Sequence, residues 1–113
     1  MSQRPYKICI YAICKNEEQH IFDWLSSLVG ADYICILDTG STDQTINIIK
    51  SFQSNPTYTT PIILAQQTFN PFRFDVARNA ARQLIPDDAD ICWCLDIDER
   101  PVVANWAELI RNA

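Results

Sequence analysis

Glycine is almost missing from this chain of 113 residues, occurring only twice. A G-x-G-x-x-G dinucleotide fingerprint is therefore excluded, and no Walker loop is present either. Histidine occurs once, as His20, with no partner constellation for a histidine nucleophile or metal site, so His20 is expected at the surface. Cysteine is odd in number and lacks C-x-x-C spacing. Cys9, Cys14, Cys35, Cys92 and Cys94 all sit in or beside apolar runs, as buried reduced thiols do, which argues against a disulfide framework or a zinc site. Cys92-Trp93-Cys94 can be read as a chelating pair, but alternation on a strand favours packing. No apolar stretch reaches the ~18 residues of a membrane span, and the start, Met1-Ser2-Gln3-Arg4-Pro5, lacks the apolar core of a signal peptide. The expected location is cytoplasmic. Positive charge is also scarce: the net charge of -5 argues against non-specific nucleic-acid binding, which depends on Lys and Arg neutralising phosphates. A phosphate ligand would need local help from placed cations or a divalent metal.

What is present is a globular composition, 48% hydrophobic and 20% charged, with the length of one small domain spanning residues 1–113. Tyr6 to Ile13 is a β-rich run suited to a strand buried on both faces. Asn16 before Glu17, Glu18 and Gln19 predicts a capped helix whose apolar stripe is Ile21, Trp24, Leu25, Leu28 and Val29, ended by Gly30. The unit then repeats. Tyr33 to Leu37 is a second strand ending at Asp38, and Ser41-Thr42-Asp43-Gln44 has capping-box spacing before Ile46, Ile48, Ile49 and Phe52. Ile62 to Ala65 is a short third strand after a proline-marked connection. A third helix starts between Asn70 and Asp75 and runs to Ile85, burying Ala77, Ala81, Leu84 and Ile85. Ile91 to Leu95 is the fourth strand, and Val102, Val103, Trp106, Leu109 and Ile110 predict a last helix. The fold class is α/β: a Rossmann-like, mostly parallel sheet with flanking helices in the order βαβαβαβα.

In such sheets ligands bind beyond the carboxyl ends of the strands. Three polar clusters fall there: Lys15-Asn16-Glu17, Asp38-Thr39-Gly40-Ser41-Thr42-Asp43 and Asp96-Ile97-Asp98-Glu99. Asp96 and Asp98, two apart, leave the same side of a continuing strand. Two converging carboxylates repel unless a cation or water relieves them, and their hard oxygens suit Mg²⁺ or Mn²⁺. A solvated acidic turn, with Asp98 or Glu99 at a helix start, explains the same residues. Asp38 ends a buried strand before a cap is needed, so its carboxylate is placed to accept from a base N–H or a ribose hydroxyl. Arg73 and Arg78, near the start of the third helix, can meet a diphosphate; pairing of Arg78 with Asp75 or another acid is the alternative.

Together the blocks Ala12-Ile13-Cys14-Lys15-Asn16-Glu17-Glu18, Leu37 to Thr45, Phe74-Asp75-Val76-Ala77-Arg78-Asn79 and Trp93 to Glu99 resemble the nucleotide-sugar-binding half of family 2 glycosyltransferases, which have the GT-A fold. The D-T-G-S-T-D-x-T block is the most specific. Related sequences carry Asp-Phe-Ser where this one has Arg73-Phe74-Asp75. The resemblance implies that Asp38 and Thr39 lie by the base and ribose, with backbone around Ala12, Ile13 and Cys14 lining the same pocket. It implies that Asp96 faces the ribose or a metal-bound water. Asp98 would ligate Mg²⁺ or Mn²⁺ on the diphosphate of a nucleotide diphosphate-sugar, most simply a UDP-sugar, and Arg78 would approach the nucleotide.

The implied activity is metal-dependent, inverting glycosyl transfer to an acceptor hydroxyl. The acceptor-binding half of the GT-A fold, with its catalytic base, is expected to be absent. Glu99 and Glu108 do not occupy the motif that holds that base, and no catalytic residue is assigned. The alternatives are a non-catalytic module that binds nucleotide-sugar and metal, and a structural domain with solvated acidic turns. An exposed sheet edge is expected to favour a homo-oligomer.

Overall fold

The β-branched, aromatic and thiol side chains of Ile8–Cys14 form strand β1, and Tyr33–Asp38 forms its parallel neighbour β2. Between them lies helix α1 (Ile21–Ser27); then follow α2 (Thr45–Ser54), β3 (Ile62–Gln66), α3 (Phe74–Arg82), β4 (Ile91–Cys94) and α4 (Trp106–Arg111). The computed structural model describes residues 6–99, 101 and 106–111. The four strands form one all-parallel sheet in the order β3-β2-β1-β4, a Rossmann-like α/β arrangement. β3 and β4 are its edges. No helix among the described residues is long and apolar enough to cross a membrane.

Strand alternation divides the sheet into two unequal faces. Ile8, Ile10, Ala12 and Cys14 of β1 join Ile34 and Ile36 of β2 in a core closed by Ile21, Trp24, Leu25 and Leu28 of the α1 segment, by Ile49 and Phe52 of α2 and by Trp106 and Ala107 of α4. Helices α1 and α4 meet there. The Trp106 indole N–H donates to the Ser27 carbonyl across 79 residues of sequence (3.1 Å). Gly30 packs so closely under α4 that a side chain on it would stand 3.2 Å from Ala107 Cβ, and its φ of +116° suits glycine alone.

On the opposite face, among the described residues, α3 packs on β1 and β2 through Ala77 and Ala81. There the Cys9 and Cys35 thiols touch at 3.5 Å and Cys35 donates to the Leu84 carbonyl. Small alanines bring the helix close, and its main packing is on β1 and β2.

Several sequence expectations are corrected. Helix α1 begins at Ile21 rather than after Asn16, because the Glu17 and Glu18 amides are held by Thr45 and Asp43 of the neighbouring connection. Val29 is exposed, lying past the end of α1. Helix α3 stops at Arg82, leaving Leu84 and Ile85 half-buried in the following turn. His20 is half-buried rather than superficial. Cys92 is exposed, because β4 is an edge strand that α3 leaves uncovered. Leu109 is exposed on α4, while Val102 and Val103 lie outside the described residues.

Candidate functional site

The topology fixes where a crevice opens. From β1 the chain moves outward to β2 and β3, then crosses to the other side of β1 for β4, so the β1/β4 junction is the topological switch point. The β1–β4 register ends at Tyr11 with Cys94, whereas β1 and β2 stay paired to Cys14 with Asp38. Ala12, Ile13 and Cys14 therefore run on without a β4 partner, and the three polar connections gather around that end.

Asp38 is 1% exposed, and its carboxylate organises its own loop. One oxygen accepts from the Gly40 and Ser41 amides (3.1 and 2.9 Å); the other accepts from the Ser41 hydroxyl. Gly40, at φ +131°, allows the turn that brings those amides back. Of the up to about four acceptor positions on a carboxylate, Asp38 uses three within its own loop. The adjoining Thr39 donates its amide to the Cys14 carbonyl at 2.9 Å, which holds Cys14, Asp38 and Thr39 together at the ends of β1 and β2. Ala12 is a core residue with its backbone in the β1–β2 ladder, and Ile13 is half-buried on the opposite face. The Cys14 thiol is pushed up to about 12 by burial and by Asp38, Glu17 and Asp43, which keeps it protonated and without nucleophilic use at neutral pH.

Asn16, whose spacing predicts a helix cap, instead latches two connections together. Its backbone takes a left-handed φ of +54°, its amide donates to Ser41 Oγ (2.8 Å), and its side-chain oxygen accepts from the Thr42 and Asp43 amides (2.7 and 3.3 Å). The available signal was chemical: asparagine tolerates the left-handed region, and this chain has few glycines to spend there. Asp43 completes the junction by accepting from the Thr45 amide at 2.9 Å and the Thr45 hydroxyl. Desolvation pushes the Asp43 carboxyl up, but these bonds outweigh it and hold the group below the usual range. Replacing Asn16 by Gly keeps the backbone conformation and deletes the acceptor, so a loss of about 0.5–1.5 kcal/mol in urea unfolding is expected. Hydrogen exchange should quicken at the Thr42 and Asp43 amides, while Asn16→Asp, which retains an acceptor, preserves their protection.

After β4, Leu95 and Ile97 point into the core while Asp96 and Asp98 are exposed, the alternation that places both carboxylates outward. Glu99 closes this turn rather than starting a helix: its amide bonds the Asp96 carbonyl at 2.9 Å and its carboxylate accepts the Asp96 amide at 3.2 Å. The loops converge electrostatically as well. The Glu17 carboxyl is raised by burial first; His20 opposes the rise, and the charges of Asp98, Asp43 and Asp96 add to it. Among the described residues no three His, Cys, Asp or Glu side chains form a metal-holding group, and neither Asp96 nor Asp98 has an ion-pair partner. Two outward hard-oxygen donors fit a cation that a ligand's phosphates and water complete, and do not form an all-protein cage.

The third helix contributes less to this end. Arg73 pairs with Asp75 at 3.3 Å on the open surface, an interaction of small energetic weight. Arg78 does not pair with Asp75; its guanidinium lies 4.5 Å above the Phe74 ring centre, on the flank facing Tyr11 and Cys94. No protein-family model matches the sequence, and no curated protein matches it.

Proposed function

We propose that this chain binds the nucleotide diphosphate part of a sugar donor with Mg²⁺ or Mn²⁺, as the nucleotide-sugar-binding half of a family 2 (GT-A) glycosyltransferase does. The observation that carries the reading is the gathering of the Cys14–Asn16, Asp38–Thr45 and Asp96–Glu99 segments at the switch point of a parallel sheet. Its sequence support is the resemblance of those segments to the family's blocks.

In this reading Asp98, supported by Asp96, holds the cation, whose chemistry is neutralisation of charge on a departing diphosphate. The Asp38 loop and the backbone from Ala12 to Cys14 form the wall beside base and ribose. Asp38 and Asp43 are committed to their loops and Glu99 to its turn, and no described residue is given the part of general base. Binding without turnover is therefore the second reading, and a transfer or hydrolysis assay on a confirmed binder separates the two.

Calorimetric titration with UDP-, GDP- and dTDP-sugars, with and without Mn²⁺, tests the proposal. Metal-dependent binding of at least one donor is expected, and its absence for all of them would sink the reading. Asp98→Asn should leave the fold intact by circular dichroism and remove the Mn²⁺ dependence; unchanged affinity would refute the ligand role of Asp98.

A further inference from the structure

An open groove of about 630 Å³ runs between α3 and the β1–β4 half of the sheet, lined by Tyr11, Asn79, Arg82, Gln83, Ile85 and Cys92. Helix α3 sits on β1 and β2 through the buried Ala77 and Ala81, and Cys92 on the neighbouring β4 is exposed. Arg78 and Arg82 stand four residues apart, so they flank the same side of the helix. Both act on Tyr11: burial first, and the Cys94 thiol after it, push its hydroxyl up, and the two guanidiniums push the other way. Arg82 acts in the same sense on Cys92, and Arg78 on Cys94.

In a chain with 14 acidic and 9 basic residues, an arginine has many carboxylates to choose from, and Arg73 takes Asp75. Among the described residues neither Arg78 nor Arg82 has a carboxylate at ion-pair distance. Arg78 is occupied by the Phe74 ring, which leaves the Arg82 fork as the groove's available charge.

We propose that this groove is a second ligand site, taking a small molecule with a phosphate or carboxylate on a compact apolar or aromatic body. Arg82 receives the oxyanion, Tyr11 and Asn79 offer further hydrogen-bonding groups, and Ile85 lies along the apolar part. The volume lies within the ~300–1,000 Å³ typical of small-molecule sites. The site does not depend on the nucleotide reading, since it uses neither Asp38 nor the Asp96–Glu99 turn.

Cys92, exposed and lining the groove, reports its occupancy. Its alkylation by iodoacetamide, resolved by peptide mass spectrometry, is measured with phenyl phosphate, benzoate or phenol present. The anionic probes should slow the reaction severalfold and phenol should not. Arg82→Gln should erase the protection, and Arg82→Lys, which keeps the charge but loses the fork, should retain part of it. Asp98→Asn should leave the protection unchanged, so that failure of the nucleotide site is distinguishable from failure of this one. Equal protection by phenol, protection surviving Arg82→Gln, protection lost in Asp98→Asn, or none from either anion would each overturn the proposal.

Discussion

Asp38→Ala is expected to lower the unfolding free energy by about 2–4 kcal/mol, because it strips the acceptor from two loop amides at a nearly closed position. It should also abolish donor binding in calorimetry even where the variant is fully folded at low temperature. The link is mechanical. Without the carboxylate, Ser41 loses the partner that places its hydroxyl to receive the Asn16 amide, so the connections after β1 and β2 both loosen. Asp38→Asn restores one carbonyl oxygen but turns an NH₂ toward donors, so it should recover only part of the stability. Binding that survives Asp38→Ala at wild-type affinity would show that the loop order is irrelevant to the ligand.

Trp24→Ala is expected to cost about 3–5 kcal/mol, comparable to the whole stability of many small domains, and to leave the chain largely unfolded at 37 °C. Trp24 is fully buried among the residues of the main core. Its indole N–H finds no hydrogen-bond acceptor among the described residues, a polar group already carried at a penalty. Trp24→Phe removes that orphan donor while retaining most of the ring volume, so its measured cost should be much smaller than that of the alanine variant. Equal losses in urea unfolding for the two variants would contradict this account.

The fold was legible because its signals are local and redundant. The apolar runs at Ile8–Cys14 and Tyr33–Asp38, separated by a periodic helix, leave little choice but a parallel β-α-β unit. Strand ends were accurate to a residue or two, since a buried strand stops where charge begins. Helix starts were less uniform: α3 begins at Phe74, inside the expected window of Asn70 to Asp75, but α1 begins at Ile21. Asn16 shows why, since its spacing to Gln19 satisfies a capping rule, yet its acceptor is taken by amides some 26 residues onward. Local pattern cannot reveal a side chain whose partner is in another connection. The same limit applies to Asp38, whose end-of-strand position was readable and whose engagement with its own loop was not. At the Asp96–Glu99 turn the strand expected to continue ends at Cys94, yet burial of Leu95 and Ile97 still leaves Asp96 and Asp98 exposed.

The seam between α1 and α4 carries a consequence in time. A chain leaving the ribosome makes β1 well before its partners, since that strand's β4 side and the end of α1 are closed by β4 and α4, with 79 residues separating Ser27 from Trp106. Such distant pairing is slow because loop-closure entropy is spent before any contact rewards it. The nascent chain therefore carries an open apolar strand edge until β4 emerges, and Gly30 keeps the berth clear for α4.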